Sequence, residues 1–172
     1  YYKIAKNSLF LINRSLTGEG VVKTLKIIKK EFPKLKIKNL KSGSKVFDWK
    51  VPAEWNVKEA YVLDKNKEKI IDFKKNNLHL VSYSIPYNKF LKKESFLKKL
   101  HFIKKNPKAI PYVTSYYQRN WGFCLSFKKF VEIRKNYSNK DKFKVLIKSH
   151  FKKNGKLNYG ELVLKGQSKQ EI

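Results

Sequence analysis

From Phe143 onward the chain alternates strictly: Phe143, Val145, Ile147 and Phe151 fall on one side, Lys144, Lys148 and His150 on the other. A period of two commits the segment to a half-buried strand in one register, because a one-residue slip would drive lysines into the core. Asn154-Gly155 follows as a turn signal, and Leu157 to Leu164 reads as a returning strand. The expected element is a β-hairpin, so part of the fold must be an antiparallel sheet.

The rest of the chain is read around that sheet. Thr17 is expected to cap a helix with Val21, Leu25, Ile28 and Phe32 on one stripe and Pro33 at its end. Leu35 to Leu40 reads as a strand, and Ser42-Gly43-Ser44 as a turn that places a domain boundary near Lys45. Beyond it, Ala60 to Asp64, Lys69 to Phe73 and Leu78 to Ser84 read as short strands. Helical spacing of Phe96, Leu100 and Ile103 predicts one covering helix within Phe90 to Lys104. Pro107 and Pro111 set an extended approach to Tyr112. The fold class is α/β, with an α+β insert.

A net charge of +28 resembles a nucleic-acid footprint, but only three of the 41 basic residues are arginine (Arg14, Arg119, Arg134). Base and phosphate readers favour the arginine fork, and these lysines are spread along the whole chain among residues with A/T-rich codons. A biased genome explains the charge, and no specific nucleic-acid partner is expected. The single cysteine, Cys124, excludes a disulfide framework. No apolar run is long enough to span a bilayer and no signal peptide is visible, so the expectation is a cytoplasmic protein with no membrane partner. With no methionine anywhere, and Gly166 to Ile172 stopping at what reads as the first residue of another strand, the chain is expected to be part of a longer protein.

Ala109 to Leu125 is the most distinctive segment: it holds five aromatics, Arg119 and Cys124, with no lysine or acid. Tyr112, Tyr116, Tyr117, Arg119 and Trp121 read either as a core strand or as a binding surface, and Arg119 among aromatics is suited to receive a carboxylate. Cys124, between Phe123 and Leu125, reads as a small buried hydrophobe. His79, His101 and His150 lie far apart and form no metal-binding motif. Asp48, Glu54 and Asp72 are candidate carboxylates, but without geometry they do not resolve into an acid-base pair. No nucleophile elbow, phosphate loop or dinucleotide fingerprint is present.

Several stretches, in order along the chain, carry a resemblance: Arg14-Ser15-Leu16-Thr17-Gly18, Val46-Phe47-Asp48-Trp49-Lys50-Val51-Pro52-Ala53-Glu54-Trp55-Asn56, Asn77-Leu78-His79, Tyr83-Ser84-Ile85-Pro86, Ile110 to Tyr117, Trp121 to Leu125, and Tyr159-Gly160-Glu161-Leu162. Together they resemble the N-terminal portion of bacterial M28-type zinc aminopeptidase-like proteins, once catalogued as domains of unknown function (DUF4910/DUF2172 type). The resemblance implies a peptidase-like domain interrupted early by a small inserted α+β domain, with residues 1–45 and 137–172 in the peptidase-like part and 46–136 in the insert. It places the zinc ligands downstream of Ile172, so no residue here is assigned to metal. Zinc and a peptide substrate then belong to the full-length protein, and this chain alone is expected to be inactive. Its expected contribution is substrate selection, the insert roofing the cleft with Tyr116, Tyr117, Arg119 and Trp121 lining it. The alternative is a non-catalytic binding module for an acidic saccharide or a protein partner, linked to surface-polysaccharide synthesis.

Overall fold

The alternating segment becomes the longest strand of the computed structural model, which describes residues 1–166. In chain order the elements are α1 (Tyr2–Ile4) running into a π-helical turn (Ala5–Leu9), α2 (Glu19–Glu31), β1 (Lys36–Lys41), β2 (Lys45–Val46), β3 (Trp49–Lys50), β4 (Glu54–Leu63), β5 (Lys69–Asp72), a 3-10 turn (Asn77–His79), β6 (Tyr87–Lys92), α3 (Lys93–Leu97), β7 (Leu100–His101), β8 (Phe123–Cys124), α4 (Phe127–Asn136), β9 (Lys142–Lys152) and β10 (Lys156–Glu161). The fold is mixed α/β. The further strand expected at the C-terminal end falls largely on residues 167–172, outside the described part.

Phe143, Val145 and Ile147 are buried as their spacing requires, whereas Phe151 near the end of the strand is 38% exposed, and the hairpin does not form. β9 is central in an antiparallel sheet of order β5-β4-β9-β6, so both its edges are occupied. At the turn, Gly155 N–H donates to Lys152 O at 3.2 Å, and the chain departs to pair β10 with β1 from Lys36↔Glu161 to Lys41↔Lys156. Turn chemistry and alternation were both legible; which edge the second strand would find was not.

The main core lies on this four-stranded sheet. Trp55, Ala60, Val62, Ile71, Phe143, Val145 and Ile147 meet Tyr83, Phe96, Phe123, Leu125 and Ile133. Phe96 stacks on Phe143 with centroids 4.6 Å apart.

Two local expectations need correction. Phe90 to Lys104 is not one helix: it is split among β6, the single-turn α3 and β7, because the edge of β9 recruits Tyr87–Lys92. The covering helix is α4 instead, where Ser126 caps by accepting from Lys129 N at 3.2 Å and Ile133 is buried. Leu78 to Ser84 is not a strand either; only Leu80 and Ser82 make isolated bridges, to Phe123 and Thr114. No helix among the described residues is long and apolar enough to cross a membrane.

Candidate functional site

The aromatic segment is a loop threaded through the structure, and it sorts its residues by depth. Trp121 is 6% exposed; its ring lies 4.2 Å from that of Tyr87, with Lys99 Nζ over it at 5.4 Å. Tyr116 is half-buried and stands edge-on to the core Tyr83 at 5.2 Å. Tyr117 meets Tyr116 edge-on at 6.4 Å, is exposed, and donates its hydroxyl to Lys50 O at 2.8 Å. Arg119 and Tyr112 are exposed. The four residues read as one lining are therefore divided: Tyr116 and Tyr117 form a pair at the surface, Arg119 faces solvent, and Trp121 is part of the core.

The three histidines do not converge. His79 Nδ1 lies 2.7 Å from Cys124 O. His101 is half-buried, and burial, with Lys99 nearby, lowers its pKa. His150 is exposed on β9. Cys124 is fully buried, and burial outweighs its hydrogen bond with the Val113 backbone to push the thiol up to about 12, the opposite of an activated nucleophile. Among the described residues, no three His, Cys, Asp or Glu side chains are placed to hold a metal ion, so they do not fit a zinc centre.

Sequence reasoning missed the densest polar constellation. Thr17 does not cap α2; the N-cap is Gly18, and Thr17 is instead buried beneath the sheet's end. Its Oγ1 accepts from Trp55 N at 3.0 Å and lies 2.6 Å from the Tyr83 hydroxyl. Trp55 Nε1 and Ser149 Oγ both donate to Ser84 O, at 2.9 and 2.7 Å. Ser15 and Ser82 hydroxyls bond to each other. Burial pushes the Tyr83 phenol up to about 12, against the opposing pull of the Thr17 bond, so it stays neutral. Every partner here is buried or half-buried, as the cost of stranding a polar group inside the protein demands.

This joint forms the floor of a cleft of about 650 Å³ at the start of α2, whose walls include Asn13, Ser15, Glu19, Asn56, Lys58 and His150. Asn56 Oδ1 accepts from Glu19 N at 2.8 Å, and Asn56 Nδ2 donates to Glu54 Oε1 at 3.0 Å. The arrangement offers amides, hydroxyls and both signs of charge to a polar ligand. One signal could have found it: Gly18 and Gly20 flank Glu19, and each has backbone packed against the place a side chain would occupy.

Glu54 ties the two halves of the structure. Burial alone would raise its pKa, but Lys156 N–H, Asn56 and Lys152 outweigh that and hold the carboxyl below its ordinary 4.5. A carboxyl with a lowered folded pKa contributes stability that is present above its unfolded value and lost as pH falls through the folded one. Glu54→Gln is expected to cost about 1–2 kcal/mol at pH 7, with the gap from wild type closing below pH 4.5; urea unfolding at a series of pH values measures it.

Comparison with known proteins agrees with this architecture. Residues 54–150 match the family described as "Domain of unknown function (DUF2172)". A Clostridium acetobutylicum protein named "Putative polysaccharide biosynthesis protein with aminopeptidase-like domain" is 49% identical over 164 residues, 95% of this chain and 36% of that protein. A crystal structure titled as a putative peptidase from the same organism superposes with a TM-score of 0.83 at 48% identity, covering 92% of this chain and 36% of that one. The chain thus spans about a third of the length of these relatives. With more than half its residues inside the matched region, it is a member of the DUF2172 family.

Proposed function

We propose that this chain is the N-terminal portion of a zinc-dependent aminopeptidase-like protein of the M28 type, in which it supplies scaffold and a substrate-selecting insert while the zinc ligands lie elsewhere in the polypeptide. The observation that carries this is a layer without a core. α2 has no fully buried residue, and neither do β1 and β10. A two-stranded sheet is marginal by itself, and the helix laid on it here contributes no buried residue to hold it. Around it Tyr1, Tyr2, Phe10, Leu11, Val163 and Leu164 are all exposed, an apolar surface that asks for a covering partner. The four-stranded sheet, by contrast, owns a complete core between Trp55 and Ile147.

On this reading the coreless layer is the edge of the peptidase-like domain and the sheet with its loops is the insert. The second domain boundary then falls at the Asn154-Gly155 turn rather than at 137, since β9 belongs to the insert's sheet and β10 to the layer. The peptidase-like names of the relatives support the activity. Hydrogen exchange tests the scaffold role: amides of α2, β1 and β10 are expected to exchange far faster in this chain alone than in the full-length protein. Equal protection in both would mean the layer is complete and needs no further domain.

A second reading follows from the relative's full name, which includes polysaccharide biosynthesis. Arg119 and Tyr112, both exposed on the aromatic loop, are groups that an acidic saccharide could meet, and the insert would then be a non-catalytic binding module. Saccharide binding by a full-length protein that neither holds zinc nor cleaves peptides would favour it.

A further inference from the structure

β2 and β3 form a small hairpin whose two-residue tip is Phe47-Asp48. Phe47 holds φ at +52° and is 91% exposed. Tight hairpin tips favour glycine and asparagine because of their backbone freedom, and a bulky side chain in the left-handed region is strained. Solvent exposure of the phenyl ring does nothing to offset that strain. The neighbouring Asp48 is exposed and makes no ion pair among the described residues, in a chain with 41 basic residues; Glu54, Glu59 and Asp72 on the adjoining strands are all paired with lysine.

The hairpin is held firmly. Gly43 N–H donates to Val51 O at 2.8 Å, Val51 N–H to Ser44 O at 2.9 Å, and the Tyr117 hydroxyl to Lys50 O. A strained residue on an anchored turn, with both tip side chains facing solvent, points to contact with something outside the described chain. An aromatic ring beside a free carboxylate matches an apolar group that carries a cation. The N-terminal residue of a peptide is such a group: its α-ammonium suits Asp48 and its side chain suits Phe47.

We propose that the Phe47-Asp48 tip is a recognition finger for the N-terminal residue of a peptide substrate. This rests on the aminopeptidase-like reading and names the residues of the insert that would select the substrate. The test uses the full-length protein, with KM and kcat on a leucyl dipeptide and calorimetric titration with leucinamide and with N-acetyl-leucinamide. Wild type should bind only the free amine. Asp48→Asn should raise KM and weaken leucinamide binding by about tenfold or more, with kcat little changed and partial recovery in Asp48→Glu. Phe47→Ala should raise KM for leucyl more than for glycyl dipeptides. Peptide cleavage with KM and leucinamide binding unmoved by Asp48→Asn would reject the finger and keep the aminopeptidase reading. A wild type that neither binds leucinamide nor cleaves peptides would reject that reading and the finger with it. A fall in melting temperature for both tip variants, with binding intact, would show the tip to be a packing contact with the rest of the polypeptide and overturn the proposal.

Discussion

Trp55→Ala is expected to destabilise the folded chain by about 3–5 kcal/mol, the range for removing a large aromatic from a packed core. Trp55 is 2% exposed and stacks on Tyr83 with centroids 5.6 Å apart, and its indole N–H is committed to Ser84 O. Its backbone N–H holds Thr17, which in turn meets Tyr83. Truncation therefore leaves a cavity and also loosens the joint that seats the start of α2 on the sheet. Trp55→Phe keeps most of the volume and leaves Ser84 O its bond from Ser149, so about 1 kcal/mol is expected there. Urea unfolding of both variants measures the difference; equal losses would mean that the indole hydrogen bond, rather than ring volume, dominates.

The second large effect is at Gly18, the N-cap of α2, with φ +99° and ψ 175°. That region is nearly closed to residues with a Cβ, and a Cβ built there would lie 2.3 Å from Trp55 O. The obstacle is backbone, which has no rotamer to change. Gly18→Ala is expected to cost about 2–5 kcal/mol. Gly43→Ala is the control: φ is +89°, yet the nearest atom is Lys50 Cε at 3.8 Å. Only the backbone strain applies there, about 1–2 kcal/mol. Thermal melts of the two variants separate conformational strain from steric collision.

The same joint shows what the sequence could and could not convey. The strands Lys36–Lys41 and Lys142–Lys152 were legible because each segment carries its own local signal, whereas of Glu54–Leu63 only the end from Ala60 was read. Pairing is not local: β10 looked like the partner of β9 until β4 and β6 occupied both edges of β9. Thr17 carries the residue type of a cap and sits one position before the true N-cap, but the buried Trp55 and Tyr83 claim its hydroxyl, and propensity yields to tertiary need. Helix α4 was written in Ser126, Phe130, Ile133 and Tyr137, yet the one covering helix was expected within Phe90 to Lys104 instead. Tyr117 and Trp121 have equal chemical appeal as ligand contacts. Composition offers no means to know that one is 66% exposed and the other 6%.

The Asp48 and Glu54 carboxylates were singled out together, and the structure gives them opposite environments. Glu54 is held by the Lys156 amide, Asn56 and Lys152, whereas Asp48 stands at an exposed tip. A carboxylate already satisfied by protein donors stabilises the fold; one left to solvent on a strained turn is available to a ligand.

Zinc content measured beside aminopeptidase activity, on this 172-residue chain and on the full-length protein, bears most directly on the proposed role. Zinc and peptide cleavage in the full-length protein, with neither in the chain alone, is the expected result. Zinc-dependent cleavage by the chain alone would contradict it, as would a full-length protein that neither holds zinc nor cleaves peptides.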